Sequence, residues 1–452
     1  EPLLQWTPTT GLFTDAAGTV PYTGGGALTL YAAPSTSTTY TVSSTVGSCS
    51  SEQTVAITVN PILAGALNGA QSACSINTMT DLTLVGHQGN VLRWESANDM
   101  AFTSGMTSIS NTTTTLTPAE FGAITGVKYF RAVIGNTGCT TVYSNVVSVS
   151  IASTVWNGAA WSNGAPDNTK NVVFNGSYTS SGDVQACSVR VNPGAIVVFQ
   201  SGHTLWVENN VVVDNSGIPN RLEFENNASL LQNSTMANVG PIYYKRNSTP
   251  MRRYAYTYWA TPVAPQRLVD FSPNTRADKF FDFNAVAYAW RILPGTTVVE
   301  GGRGYIMRAP DVPRFTTNMF SVYNGEFFGI PNNGDYQQAI VYNGANNLNL
   351  LGNPYPSAIS ADAFLLANAN TGGPLAGTLY FWTHNSEMVG GQFSNADYAL
   401  YNFTGSTGVG TAASSNPCVN CNTNVPNGYI AAGQGFFVNA KANGTAHFTN
   451  AM

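Results

Sequence analysis

The chain has 452 residues, enough for roughly three or four domains at ~100–150 residues each. Charged residues make up only 9%, against ~25% in an ordinary soluble domain, and the formal net charge is −5. That balance supplies no basic field for nucleic acid or an acidic membrane, and no apolar run approaches the ~20 residues of a membrane-spanning helix.

Thr, Ser, Asn, Gly and Tyr fill the space that charge leaves. Lysine occurs only at Lys128, Lys170, Lys245, Lys279 and Lys441. Such a surface suits an extracellular β-protein and puts little charge repulsion in the way of self-association. Strand signals run the length of the chain, as short alternating stretches between Gly, Asn, Pro and Ser clusters. The expected class is all-β: tandem Ig-like sandwiches, then a short β-solenoid-like segment, then a larger antiparallel β-sandwich.

Residues 1–60 and 61–152 repeat each other. The first copy has Trp6, Tyr40 and Cys49, followed by Val55, Ile57 and Val59; the second has Trp94, Tyr129 and Cys139, followed by Val147, Val149 and Ile151. A period near ninety residues, with Trp on a central strand and a closing hairpin, predicts two immunoglobulin-like sandwiches. The second copy places Cys74 twenty residues before its Trp. The matching position in the first copy falls before Glu1, so the first copy is expected to lack its opening strands and Cys49 its partner. Cys74–Cys139 is the disulfide this alignment favours, although spacing alone cannot fix connectivity.

Residues 153–240 carry very short, evenly spaced strands, "SVRV", "AIVVF", "TLWVE" and "NVVV", separated by Asn, Gly and Pro turns. This pattern favours a small β-solenoid over a flattened sandwich. Cys187 alternates with Val189 and Val191 and reads as a buried free thiol. Residues 241–452 are rich in Tyr and Phe. "EGGRGYIMRA" (300–309) echoes "AAGQGFFVNA" (431–440), which predicts two equivalent strands entered through glycine turns. One short helix is expected within 360–369, with Ser360 as its cap and Asp362 in its first turn.

Taken together these segments resemble a known group. "WTPTTGLF", "KYFRAVIGNTGC", "WNGAAWSNGAPDNTKNVVF", "LLGNPYPSAISADAFL" and "NGYIAAGQGFFVNA" look like the Ig-like repeats and following region of large secreted proteins from Bacteroidota. The resemblance is to cargo of the type IX secretion system, seen just before its C-terminal sorting domain. It implies export, display at the cell surface, and a sorting domain beyond the last motif. It carries over no catalytic residues.

The candidate chemistry is sparse. "NPCVNC" holds Cys418 and Cys421 in a Ser/Asn/Pro loop, which favours a small loop-closing disulfide over a redox pair at a helix start or a half zinc site. The GxG stretches lead into strands, so they lack the helix N-terminus that gives phosphate loops their affinity. Glu223 and Glu225 are spaced to share one strand face and pair as acid and base, but alternation with Leu222 and Phe224 reads as a solvated face. The aromatic rows are the stronger lead: Tyr254, Tyr256 and Tyr258 with Trp259, and Trp382 in a second cluster, are candidate ligand or partner contacts. The basic residues Lys245, Arg246, Arg252 and Arg253 are read as a solvated hairpin edge.

The function expected from all this is a secreted cell-surface adhesin or structural module, without catalytic activity, cofactor or metal. Its partners are other surface proteins, surface glycans or itself. One alternative is a self-assembling filament or sheath subunit that uses strand complementation through the first Ig-like copy. A carbohydrate-binding protein is the other, resting on the aromatic rows alone.

Overall fold

A computed structural model describes residues 3–124, 126–136, 140–214, 220–317, 319–344, 346–383, 393, 397–408 and 425–452. It is all-β, with a few short helical turns. Two compact units emerge: one formed by Glu1–Ser72 and Ile76–Ile151, the other by Ala73–Ser75 and Ala152–Met452.

In the first unit the repeat is visible in atomic detail. Trp6 lies on strand Leu3–Thr7 and donates its indole N–H to Ala27 O at 3.1 Å; Trp94, on strand Asn90–Ala97, donates to Thr113 O at 3.0 Å. Trp6 faces Val42 across its ladder and Trp94 faces Ala132. Two residues before those partners stand Tyr40 and Phe130, both fully buried. Phe130 is therefore the counterpart of Tyr40. The expected match, Tyr129, is half-exposed, because a one-residue shift puts a strand side chain on the other face.

The second copy is a complete two-sheet sandwich. Its sheets hold the strand orders Thr107–Ile109, Asn90–Ala97, Val127–Gly135, Val147–Ile151, Gln71–Ala73 and Thr115–Leu116, Leu82–Val85, Ala66–Asn68. In the first copy, Leu3–Thr7, Thr38–Val46 and Cys49–Ile57 form one sheet over a small core of Leu12, Tyr22 and Tyr40.

The second unit begins as a stack of parallel strands. Ser153–Trp156, Asn171–Phe174, Ser188–Val191 and Val211–Val213 form one wall. Two further parallel walls complete each coil. Stacking places identical faces one above another, so Val172, Val189 and Val211 line up inside, as do Phe199 and Phe224. Phe199 and Phe224 stack at 5.3 Å and 13°, and Phe224 meets Tyr244 at 5.9 Å. This interior ladder is the physical reason that strands of four residues suffice: each adds apolar surface only to its neighbours.

Strand Ile242–Asn247 changes the pattern. It pairs parallel to Arg221–Phe224 on one side and antiparallel to Asn324–Pro331 on the other, so the solenoid wall runs on into the antiparallel part. One core cluster runs from Val172 through Phe327 to Ala432. The rest is a sandwich of the sheet containing Tyr256–Trp259, Tyr305–Arg308, Phe280–Asn284 and Ala289–Ile292 against that of Leu348–Gly352, Gly435–Ala440, Leu375–Trp382 and Tyr398–Asn402. Helix Ala361–Asn368 is capped as its sequence requires: Ser360 Oγ accepts from Ala363 N at 3.1 Å.

The disulfide is Cys74–Cys187, with Cα atoms 5.9 Å apart. This replaces the expected Cys74–Cys139 pair and the expected free thiol at Cys187. The reason is local: Cys74 lies in a segment that packs with the second unit. Its carbonyl accepts from Asn171 Nδ2 at 2.9 Å, and Ala73 O accepts from Ala152 N at 3.0 Å. Cys139, Cys418 and Cys421 lie outside the described residues. Cys49 is an exposed free thiol.

A chain with few charges concentrates them. Three nearly buried acids are each clasped by two cations. Glu95 takes Arg93 at 2.6 Å and Arg131 at 2.8 Å, and the Arg131 guanidinium lies 4.0 Å from the rings of both Phe102 and Tyr143. Asp282 takes Arg291 and Arg303, each at 2.5 Å. Glu223 pairs with Arg221 and Lys245, and Lys245 reaches Glu225 at 2.8 Å. Glu223 is thus not on a solvated face; only 6% of it is exposed, because cations on the same and the next rung close over it.

These partners set an acid limit. Burial raises the Glu223 pKa, but the Lys245 hydrogen bond and Arg221 outweigh it and the net shift is downward. Asp167 is lowered to about 2 by Lys170 and the Thr169 hydroxyl, and Glu120 is lowered by the Thr117 backbone N–H. Depressed folded-state values mean stability that is complete above the ordinary values, 3.8 for Asp and 4.5 for Glu, and lost as pH falls through the folded ones. Thermal melts from pH 7 to pH 2 are expected to show a flat Tm down to about pH 5 and a steep fall below it.

Candidate functional site

The two glycine-rich echoes build the site. Gly302 (φ +84°) and Gly433 (φ +64°) each turn the chain left-handed just ahead of a strand. Behind them Gly304 and Gly435 run close to their neighbours: a side chain at Gly304 would collide with Leu351 O at 2.5 Å, and one at Gly435 would press on the Tyr258 backbone at 3.1 Å. The turns are exchanged between sheets. Strand Tyr305–Arg308 pairs with Tyr256–Trp259, whose Trp259 bridges Gln434; strand Gly435–Ala440 pairs with Leu348–Gly352, whose Leu351 bridges Arg303.

A cavity of about 580 Å³ opens beside the Gln434 crossing. Its walls come from Arg246–Thr249, Thr257–Trp259, Phe381–Thr383 and the stretch Val425–Gly435. Three of the sequence-predicted contacts, Tyr258, Trp259 and Trp382, line it. They do so as packed wall rather than as a flat exposed row. Trp382 stacks on Tyr258 at 5.8 Å and 9°, and its indole N–H donates to Tyr256 O at 3.0 Å. Tyr258 and Trp259 are buried on opposite faces of their strand, one between the two sheets and the other in the solenoid core. Tyr256 packs beside Tyr258. Tyr254 does not belong to that row: it precedes the strand at φ +72°, with its ring 5.2 Å from the Arg253 and Arg308 guanidinium centres.

The hydroxyls of Tyr258 and Tyr398 meet at 2.6 Å. Burial pushes Tyr398 up to about 12, and burial followed by Tyr398 raises Tyr258 well above its ordinary value. Both phenols stay protonated at neutral pH, and Tyr398, which is not in the lining, braces the Tyr258 wall from behind through this hydrogen bond. Arg246 is the charged residue of the lining among the described residues; its Nη1 donates to Asn227 Oδ1 at 2.8 Å. No group of three or more His, Cys, Asp or Glu side chains arranged to hold a metal occurs among the described residues. Glu223 and Glu225 are held by their cations away from this cavity.

Sequence reading identified the aromatic wall and missed the polar one: Asn247, Asn427, Tyr429 and Gln434. Only Gln434 carried a signal, as the central residue of the second glycine echo.

Fold and cavity define an all-β protein in which a parallel solenoid runs into a sandwich with a polar-rimmed cleft. The chain belongs to the family described as a domain of unknown function (DUF8693), which matches residues 149–452. A second domain of unknown function (DUF8696) matches residues 63–153. No curated protein matches the chain.

Proposed function

We propose that the chain is a secreted cell-surface adhesin or structural module without a catalytic step, exported by the type IX route that its resemblance to Bacteroidota surface proteins implies. The Cys74–Cys187 disulfide carries this reading, because such bonds persist in oxidising compartments and are rare in the cytosol. The low charge, the solenoid and the ion clasps fit a rigid spacer that holds a contact surface away from the cell. Brief protease treatment of intact producing cells tests it. Release of peptides from this chain, with weaker attachment of cells that lack it, is the expected result; a chain protected in the cytosol refutes it.

The edge strand Cys49–Ile57 favours a second reading, assembly by strand addition. Eight of its nine residues are exposed. In the second copy the corresponding strand, Val147–Ile151, has Gln71–Ala73 alongside it, with Ser150 and Ser72 hydroxyls 2.9 Å apart. A strand supplied by another molecule would pair with this edge in the same way, and repetition of the contact would extend head to tail. Electron microscopy of the purified chain is expected to show filaments that Val55→Lys abolishes; uniformly monomeric particles exclude this reading.

A further inference from the structure

We propose that the cavity beside Gln434 is a saccharide-binding site that prefers a sugar bearing a carboxylate. The inference gives the adhesive reading its ligand class and depends on that reading for its biological setting. A volume of about 580 Å³ lies within the ~300–1,000 Å³ usual for small-molecule sites.

The unspent hydrogen-bonding groups select the ligand. Gln434 Oε1 accepts from Ala431 N at 3.0 Å and Asn427 Oδ1 from Tyr429 N at 3.3 Å, which fixes each amide and leaves its NH2 without a partner among the described residues. The Asn247 side-chain amide and the Tyr429 hydroxyl are also unpartnered among the described residues. Fixed amides and hydroxyls on several walls suit a ring that presents hydroxyls in several directions. Tyr429 is 60% exposed and offers a ring face at the rim, the surface on which a pyranose stacks. The packed wall of Tyr258, Trp259 and Trp382 stiffens the cleft, so little ordering is lost on binding.

Charge narrows the class. Arg246 stands without an acidic neighbour among the described lining residues, and a guanidinium matches a carboxylate in a paired, planar geometry. Among the described lining residues a divalent cation finds no carboxylate and a polyphosphate would meet a single guanidinium, while an acyl chain would leave the amides unsatisfied.

Isothermal titration of the purified chain with uronic-acid oligosaccharides and with neutral hexose oligosaccharides of equal length tests the assignment. The acidic series is expected to bind about tenfold more tightly, since a hydrogen bond to a charged group contributes roughly that factor or more. Arg246→Gln is expected to erase the preference, and Tyr429→Ala to weaken both series about tenfold. Both side chains lie at or near the surface, and circular dichroism checks that each variant keeps its fold. Absence of binding by the folded chain to either series, or affinities unchanged within about twofold in both variants, overturns the proposal. The measurement is made on isolated protein, so it stands or falls separately from where the protein resides.

Discussion

Replacing Phe224 by alanine is expected to cost about 3–5 kcal/mol of the second unit's stability, as for other buried aromatics. Phe224 has no exposed surface and lies in the middle of the solenoid's interior ladder, with Phe199 stacked 5.3 Å on one side and Tyr244 5.9 Å on the other. Its removal takes away both contacts and leaves a void that the hydrogen-bonded rungs above and below cannot collapse to fill. Ile196, on the neighbouring rung but 49% exposed, is the control: Ile196→Ala should cost under about 1 kcal/mol. Urea unfolding followed by near-ultraviolet circular dichroism reads both. Similar midpoints for the two variants would mean that the ladder does not hold the solenoid together.

A loss of about 3 kcal/mol is expected for Asp282→Ala, through a different mechanism: the loss of charge-assisted hydrogen bonds from two guanidinium groups to one buried carboxylate. Asp282 is 1% exposed and joins Arg291 and Arg303. Arg303 precedes the first glycine-entered strand, so the acid fixes the turn that the sandwich needs. Without it, Arg291 loses its acidic partner and Arg303 keeps only the exposed Glu300, 3.3 Å away, so the clasp that holds strand Phe280–Asn284 to Ala289–Ile292 and to the Arg303 turn is gone. Arg291 is 54% exposed, and Arg291→Ala should cost under about 1 kcal/mol because water replaces most of what is lost. The contrast separates the loss of a buried carboxylate that joins two cations from the small value of one exposed ion pair. Thermal melts at low and high salt provide the readout, and equal losses in the two variants would contradict it.

The parts of this molecule that sequence made legible were those governed by local periodicity. Alternation identified the strands, the spacing of Trp6 and Trp94 identified the repeat, short even runs identified the solenoid, and Ser360 identified the helix start. Each depends on residues a few positions apart. What escaped was set by neighbours distant in the chain. Cys74 sits at the right distance from Trp94 for an Ig-like disulfide, yet it packs with the second unit and bonds Cys187, and no spacing rule reports which unit a short segment joins. Glu223 alternates like a solvated residue, but Arg221 and Lys245 close over it from its own and the next rung. Tyr129 and Phe130 are adjacent, and only the register opposite Asn90–Ala97 decides that Phe130 is the buried one. The aromatic row was legible as composition, whereas the identity of its faces depended on a partner sheet some 130 residues later in the chain. The polar half of the cavity was the least legible, because Asn, Gln and Tyr are scattered everywhere in a chain of this composition.

The proposed export requires that the Cys74–Cys187 bond form in an oxidising environment outside the cytosol. Mass spectrometry of a non-reduced digest, prepared from material shed or shaved from intact producing cells with thiols blocked at harvest, tests this most directly. A linked peptide pair joining Cys74 to Cys187 in that surface fraction is the predicted result. Finding the chain only inside the cells, with Cys74 and Cys187 both carrying the thiol-blocking label, would contradict it.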